Sequence, residues 1–193
     1  MKRIHLTLVL VVFCVAAFAS AAVAGPVGTM EINAGYAKSS TNVTPNDESM
    51  GGGIAFGAAY WRNASPTVMW GAELSYDNLG SVDFDNGGTN QSVSGSVFRV
   101  NPAVRANFGS MVGPNFFAQG GAGYYNVSSK LDPTVPGVDT NSQGKFGYNL
   151  GAGVGFPVGP KTRMNVMGQW HSISTEGEST NYLEFKAGVG FGL

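Results

Sequence analysis

Residues 182–193 alternate without interruption: Leu183, Phe185, Ala187, Val189, Phe191 and Leu193 share one parity, and Glu184, Lys186, Gly188, Gly190 and Gly192 the other. A period of two puts these sets on opposite faces of an extended strand, one apolar and one small or charged. A strand this regular needs neighbours along its edges, so the rest of the chain is read as strands against which it closes.

The same alternation recurs. A first strand, 28–38, sets Met30, Ile32, Ala34 and Tyr36 against Glu31, Asn33 and Gly35; a second, 52–61, sets Ile54, Phe56, Ala58 and Tyr60 against Gly53, Ala55, Gly57 and Ala59. A third, 67–77, carries Val68, Trp70, Ala72, Leu74 and Tyr76 opposite Met69, Gly71, Glu73 and Ser75. A fourth, 92–108, carries Phe98, Val100, Pro102, Val104 and Ala106 opposite Arg99, Asn101 and Arg105; Pro102 removes a ladder donor, so a bulge or local break is expected there. The fifth, 115–127, opposes Phe116, Ala118, Gly120, Ala122 and Tyr124 to Phe117, Gln119, Gly121, Gly123 and Tyr125. The sixth, 145–156, opposes Phe146, Tyr148, Leu150, Ala152, Val154 and Phe156 to Lys145, Asn149 and a row of glycines. The seventh, 162–174, sets Met164, Val166, Gly168 and Trp170 against Arg163, Asn165, Met167, Gln169 and His171. Between these strands the connections alternate: long at 39–49, 78–91, 128–143 and 175–181, short at 62–66, 109–114 and 157–161.

The chain opens with Lys2 and Arg3, an apolar run from Ile4 to Ala19, and Ala22-Val23-Ala24, the pattern of a secretory signal peptide cleaved after Ala24. The expected division is a leader at 1–24 and one domain at 25–193. Cys14, the chain's one cysteine, lies in the leader, so the exported domain holds together without disulfides. With 11 basic against 12 acidic residues and no basic block, nucleic acid is excluded as a partner. Glycine makes up 29 of 193 residues, without a collagen period and without the charge of a disordered chain, so the strands must explain it.

Eight strands of this length, with long and short connections in alternation and no later apolar run long enough for a spanning helix, predict an all-β fold: an eight-stranded antiparallel up-and-down transmembrane β-barrel. Alternation alone does not say which face is inside. A soluble barrel would present a row such as Gly147, Asn149, Gly151, Gly153 and Gly155 to water, almost uncharged and poorly supported. Turned inward, these residues suit the cramped lumen of a small barrel. The apolar face then meets lipid, with Tyr36, Tyr76, Tyr124 and Trp170 forming one aromatic girdle and Tyr60, Trp70, Phe108, Phe116 and Phe156 the other, around an aliphatic waist.

The ending, with Lys186, Gly188, Phe191 and Leu193 at the polar, glycine and two hydrophobic positions, resembles the C-terminal assembly signal of bacterial outer-membrane barrels; Leu193 stands where Phe is usual. The whole exported region resembles the OmpA/OmpX-type eight-stranded outer-membrane barrel family, and residues 170–183 are similar to its seventh-to-eighth-strand region. That resemblance implies a Gram-negative outer-membrane location, lipid and lipopolysaccharide around the barrel, an encounter with the barrel-assembly machinery, and a monomer. It implies no single activity, because such barrels include adhesins, narrow pores and lipid-modifying enzymes.

On the inward parity Glu31, Glu73 and Glu184 share the lumen with Arg99, Arg105, Lys145, Arg163 and Lys186. Charges held away from bulk water pair, so the expected result is a charge network plugging the barrel, and the expected role is structural or surface interaction. A narrow cation-preferring pore is the alternative, since the long loops hold Asp47, Glu48, Asp83, Asp85, Asp132, Asp139, Glu176 and Glu178 against Lys130. A lipid A-modifying enzyme is the third reading. Lipid A deacylases place Ser two positions after His, and here that position is Ile173, while Ser172 and Ser174 fall on the opposite face from His171. No catalytic, cofactor or metal site is expected; residues 83–87 have a faint calcium-loop look, but Ser94 stands where a closing carboxylate is needed.

Overall fold

The computed structural model describes residues 28–41, 49–86, 89–109, 113–132, 142–174 and 179–193. The leader read at 1–24 and the carboxylates Asp47, Glu48, Asp139, Glu176 and Glu178 lie outside them. Eight strands form one closed antiparallel ring in sequence order: β1 (Thr29–Ser39), β2 (Gly53–Asn63), β3 (Val68–Asn86), β4 (Thr89–Gly109), β5 (Asn115–Asp132), β6 (Gln143–Gly159), β7 (Thr162–Ser174) and β8 (Ser179–Gly192). The ring is staggered. A walk from Thr29 through its partners Trp61, Gly71, Ala103, Gly121, Asn149, His171 and Tyr182 returns to β1 at Ser39, ten residues further on. That stagger tilts the strands and sets the width of the lumen.

The barrel is inside-out relative to a water-soluble one. Ile32, Phe56, Leu150 and Phe185 are 58%, 56%, 60% and 63% exposed on the outer face, while Glu31, Glu73, Arg99 and Asn101 are buried within. Apolar side chains outside and charges inside are what a lipid solvent selects. Tyr36, Tyr76, Tyr124 and Tyr148 stand exposed toward the loop end, and Trp70, Phe108, Phe116 and Phe156 toward the turn end. Between them the outer face carries Ile32, Leu74, Val104, Leu150 and Val166, all exposed.

One expectation needs correction, and another is met in one of its two forms. The segment 78–91 is not a loop: β3 and β4 continue as a hairpin joined only by residues 87–88, and β5 runs on to Asp132. The extension escapes a parity reading because of a bulge at Leu79, between the pairs Asn78↔Ser96 and Gly80↔Gly95, which reverses the facing of every later residue. Asp83 and Asp85 therefore sit on a strand, opposite Ser92 and Asn90, not in a cation-binding loop. At Pro102 the expected local break is present, without a bulge. The β3 register runs straight through Ala72↔Pro102, and the β4–β5 ladder is interrupted only between Val100↔Tyr124 and Ala103↔Gly121, without a shift. The proline costs its own bond and nothing further along.

Toward the loop end the lumen holds apolar groups. Ala37, Met50, Ala55, Leu79, Val97, Tyr125, Ile173 and Tyr182 form a buried cluster, with Val82, Val93 and Val127 packed against it. Leu79, at the bulge, keeps the inward parity of Ser75 and Asp77, and Met50 enters from the β1–β2 connection into space that Gly95 leaves, where a Cβ would lie 2.6 Å from the Met50 sulfur. This cap bounds the charged interior on one side.

Candidate functional site: the charged lumen

Below the cap, inward side chains of alternate residues meet across the lumen in two clusters. In the cluster nearer the turn end, Arg105 Nη1 and Nη2 bind the two oxygens of Glu31 at 2.8 and 3.2 Å, and Nε donates to Gln119 Oε1 at 2.9 Å. The guanidinium is held between two rings, 4.3 Å from the Trp61 centroid and 4.5 Å from that of Phe117. Asn165 donates to Glu31 at 3.0 Å, so the carboxylate is held from two strands besides its own. A planar fork is needed for this arrangement. Arg105→Lys keeps the charge and loses the fork and the stacking; the expected loss is about 1–2 kcal/mol in denaturant unfolding of the membrane-inserted protein.

The central cluster is organised by Arg99. Its Nε donates to Ser75 Oγ at 2.7 Å and Asp77 Oδ2 at 3.1 Å, its Nη2 to Glu184 Oε2 at 2.7 Å, and Nη1 lies 4.0 Å from Glu73. Lys186 Nζ reaches Gln169 at 2.7 Å, Glu184 at 3.3 Å and Glu73 at 3.4 Å. His171 packs flat on Tyr182, with centroids 4.2 Å apart and planes 4° from parallel. Its Nδ1 faces Arg99 Nη1 at 3.5 Å, a group that only donates, so Nδ1 accepts and Nε2 carries the hydrogen toward Glu184 at 3.2 Å. Tyr125 OH receives bonds from Asn101 and Asn149, both at 3.1 Å. Pairing on this scale offsets the cost of removing the charges from water, and it fixes each rotamer.

The structure thus brings Glu31 together with Arg105, and Glu73, Arg99, Glu184 and Lys186 together with one another. Arg163 is half-buried at the turn end, donating to Asn115 Oδ1 and to the Gly113 carbonyl. Lys145 is half-buried at the loop end, opposite Tyr125 in the β5–β6 register. Members outside the predicted charge set include Asp77, Tyr182, Trp61 and Ser75. Asp77, which accepts from Arg99, Ser75 and Tyr182, ends the third alternating run on the parity of Glu73 and Ser75. Tyr182 shares the parity of Glu184, and Trp61 that of Ala59, so both are accessible to the same count. Ser75 falls on the inward parity, but its part as a bridge between Arg99 and Asp77 depends on the β3–β4 register.

Of the assembly-signal residues, Lys186 points into the central cluster, Gly188 is buried beside Asn33, and Phe191 and Leu193 lie on the outer face, 44% and 58% exposed.

A profile of the outer membrane protein beta-barrel domain matches residues 6–192, nearly the whole chain. This chain belongs to that family. Its members' location, the bacterial outer membrane, is accordingly the location of this barrel. Among solved structures it is similar to Neisserial surface protein A, at 14% identity and a TM-score of 0.61 over 85% of this chain and 96% of that one. It is also similar to the N-terminal β-barrel domain of OprF from Pseudomonas aeruginosa, at 16% identity and a TM-score of 0.52 over 86% and 97%. A major outer membrane protein from Thermus thermophilus matches at 10% identity and a TM-score of 0.56 over 86% and 99%. At these identities the likeness is one of fold. What is shared is the outer-membrane barrel architecture.

Proposed function

We propose that this outer-membrane barrel works with its lumen plugged, in a structural or surface-interaction role, through what it presents at a loop end facing outside. The filling of the lumen carries the reading: two bonded charge clusters lie beneath an apolar cap, and Arg99, His171 and Glu184 are fully buried among them. The loop end supports it from the other side. Strand β3 pairs with β2 only as far as Ala55↔Asp77, and β5 with β6 only as far as Val127↔Gln143. Beyond those pairs β3, β4 and β5 continue as a three-stranded sheet, its β3 edge met first by Gly51 and Gly52, which donate to the Ser81 and Leu79 carbonyls; residues 78–86 alone span about 30 Å of strand. An active base would have to meet lipid, and His171 is instead enclosed by Tyr182, Arg99 and Glu184.

The second reading, a narrow cation-preferring pore, is favoured by the make-up of the central cluster, where Glu73, Asp77 and Glu184 accompany Arg99 and Lys186. Planar-bilayer recordings on refolded protein, its folding verified by heat-modifiable migration, separate the two. Silence is the expected result. Discrete steps with cation preference in asymmetric salt would replace the plug with the pore.

A further inference from the structure

On the outer face of β4, β5 and β6 the side chains change character over three consecutive register rows near the loop end. The lowest row is Val100, Tyr124 and Phe146; the next is Phe98, Asn126 and Gly144; the uppermost pairs Ser96 with Ser128. Phe146 and Tyr124 are 64% and 39% exposed, continuous with the lipid-facing belt below. Above them the polar groups are already connected: Ser128 Oγ donates to Ser142 Oγ at 3.1 Å, and Ser142 Oγ donates to Asn126 Oδ1 at 2.6 Å. That chain runs one way. It uses the Asn126 oxygen and leaves the Nδ2 hydrogens to donate outward, while Ser128 Oγ keeps lone pairs that accept. Tyr124 lies across Gly144, where any Cβ would overlap its ring, so the glycine holds the phenol down against the sheet and keeps the shelf above it open.

We propose that this shelf is a docking surface for the saccharide headgroup of a membrane glycolipid. The occupant must keep an apolar part in the bilayer, because the lower row is part of the lipid face. Its polar part must offer donors and acceptors at close spacing, as sugar hydroxyls do, to match the amide and hydroxyl chain. Sugar C–H faces also stack on exposed aromatic rings such as Tyr124 and Phe146. The three rows contain no charged residue, so the groups that meet the occupant there are amide, hydroxyl and ring, the partners of sugar hydroxyls and C–H faces. Charge begins beyond these rows: Lys130 follows Ser128 on the same face of β5, opposite Ser94, β1 puts Lys38 above Tyr36, and the protruding part of β3 carries Asp83 and Asp85.

The proposal rests on the reading that the loop end faces outside, and its test keeps the two apart. Wild type, Asn126→Ala/Ser142→Ala and Gly144→Ala proteins are refolded into nanodiscs holding phosphatidylglycerol, lipid A or rough lipopolysaccharide at matched negative charge. Melting is followed by the heat-modifiable gel shift. A sugar-bearing lipid raises the wild-type melting temperature by about 4 °C over phosphatidylglycerol, and the variants lose that gain. A gain from lipid A assigns the shelf to its disaccharide, and a gain from rough lipopolysaccharide alone assigns it to the core sugars. Equal melting in all three lipids, or an undiminished gain in the double variant, overturns the proposal. Orientation is read separately by labelling Lys130→Cys on intact cells with a membrane-impermeant maleimide. Failure to label overturns the outward loop end, and with it docking in the cell, whatever the nanodiscs show.

Discussion

Arg99→Ala lowers the unfolding free energy by about 3–5 kcal/mol, the largest loss expected for a single side chain in this barrel. The residue is fully buried, and its guanidinium is the donor that Ser75, Asp77 and Glu184 share. Truncation leaves Asp77 and Glu184 buried with one cation, Lys186, within reach of the second of them. Most of the cost is the desolvation of those carboxylates, not the lost attraction. A double-mutant cycle separates the two. Glu184→Gln removes one stranded charge, so the double variant is less destabilised than the sum of the singles by about 1.5–3 kcal/mol. Urea unfolding in phospholipid vesicles, read by the heat-modifiable band, measures all three proteins. A loss under about 1 kcal/mol for Arg99→Ala would mean that water already reaches the cluster, and the plug would give way to the pore reading.

The second large effect lies at the seam where the barrel closes. In the β1–β8 register Gly35 is opposite Lys186. A Cβ at Gly35 would overlap the Phe185 carbonyl oxygen and approach the Lys186 Cα to 2.7 Å. These are backbone atoms of the neighbouring strand, so no rotamer change relieves the clash, and Lys186 is held in place by Gln169, Glu184 and Glu73. Gly35→Val therefore forces β1 away from β8 and abolishes the folded, fast-migrating band in refolding assays. Gly190→Ala on the same strand pair is the comparison, because its Cβ would meet Thr29 Cγ2, a side-chain atom, at 3.2 Å, and it refolds nearly as well as wild type. Normal refolding of Gly35→Val would show that the seam is looser than the register requires.

Parity carries most of the fold. Runs such as 145–156 and 182–193 alternate so regularly that face assignment, strand count and closure follow from reading every second residue. Parity misleads where one residue is inserted. Beyond Leu79 the apolar Val82 and Phe84 keep their alternation with Asp83 and Asp85, but the bulge reverses which side they face, and the Asp, Asn and Gly residues around them look like loop. Likewise the inward charges are countable, while their partners are not. Arg105 and Glu31 are 74 positions apart, and Arg99 and Glu184 are 85.

By itself, then, the sequence determined a closed eight-stranded sheet with its apolar face outward, because strand periodicity is a local property and the composition of the inner face excludes water as the outer solvent. Only the tertiary structure decided which charges pair, that an apolar cluster gathers at the loop end, and that three strands project past the rim. Those features depend on register, and the ten-residue stagger brings together side chains from distant strands that no local pattern relates.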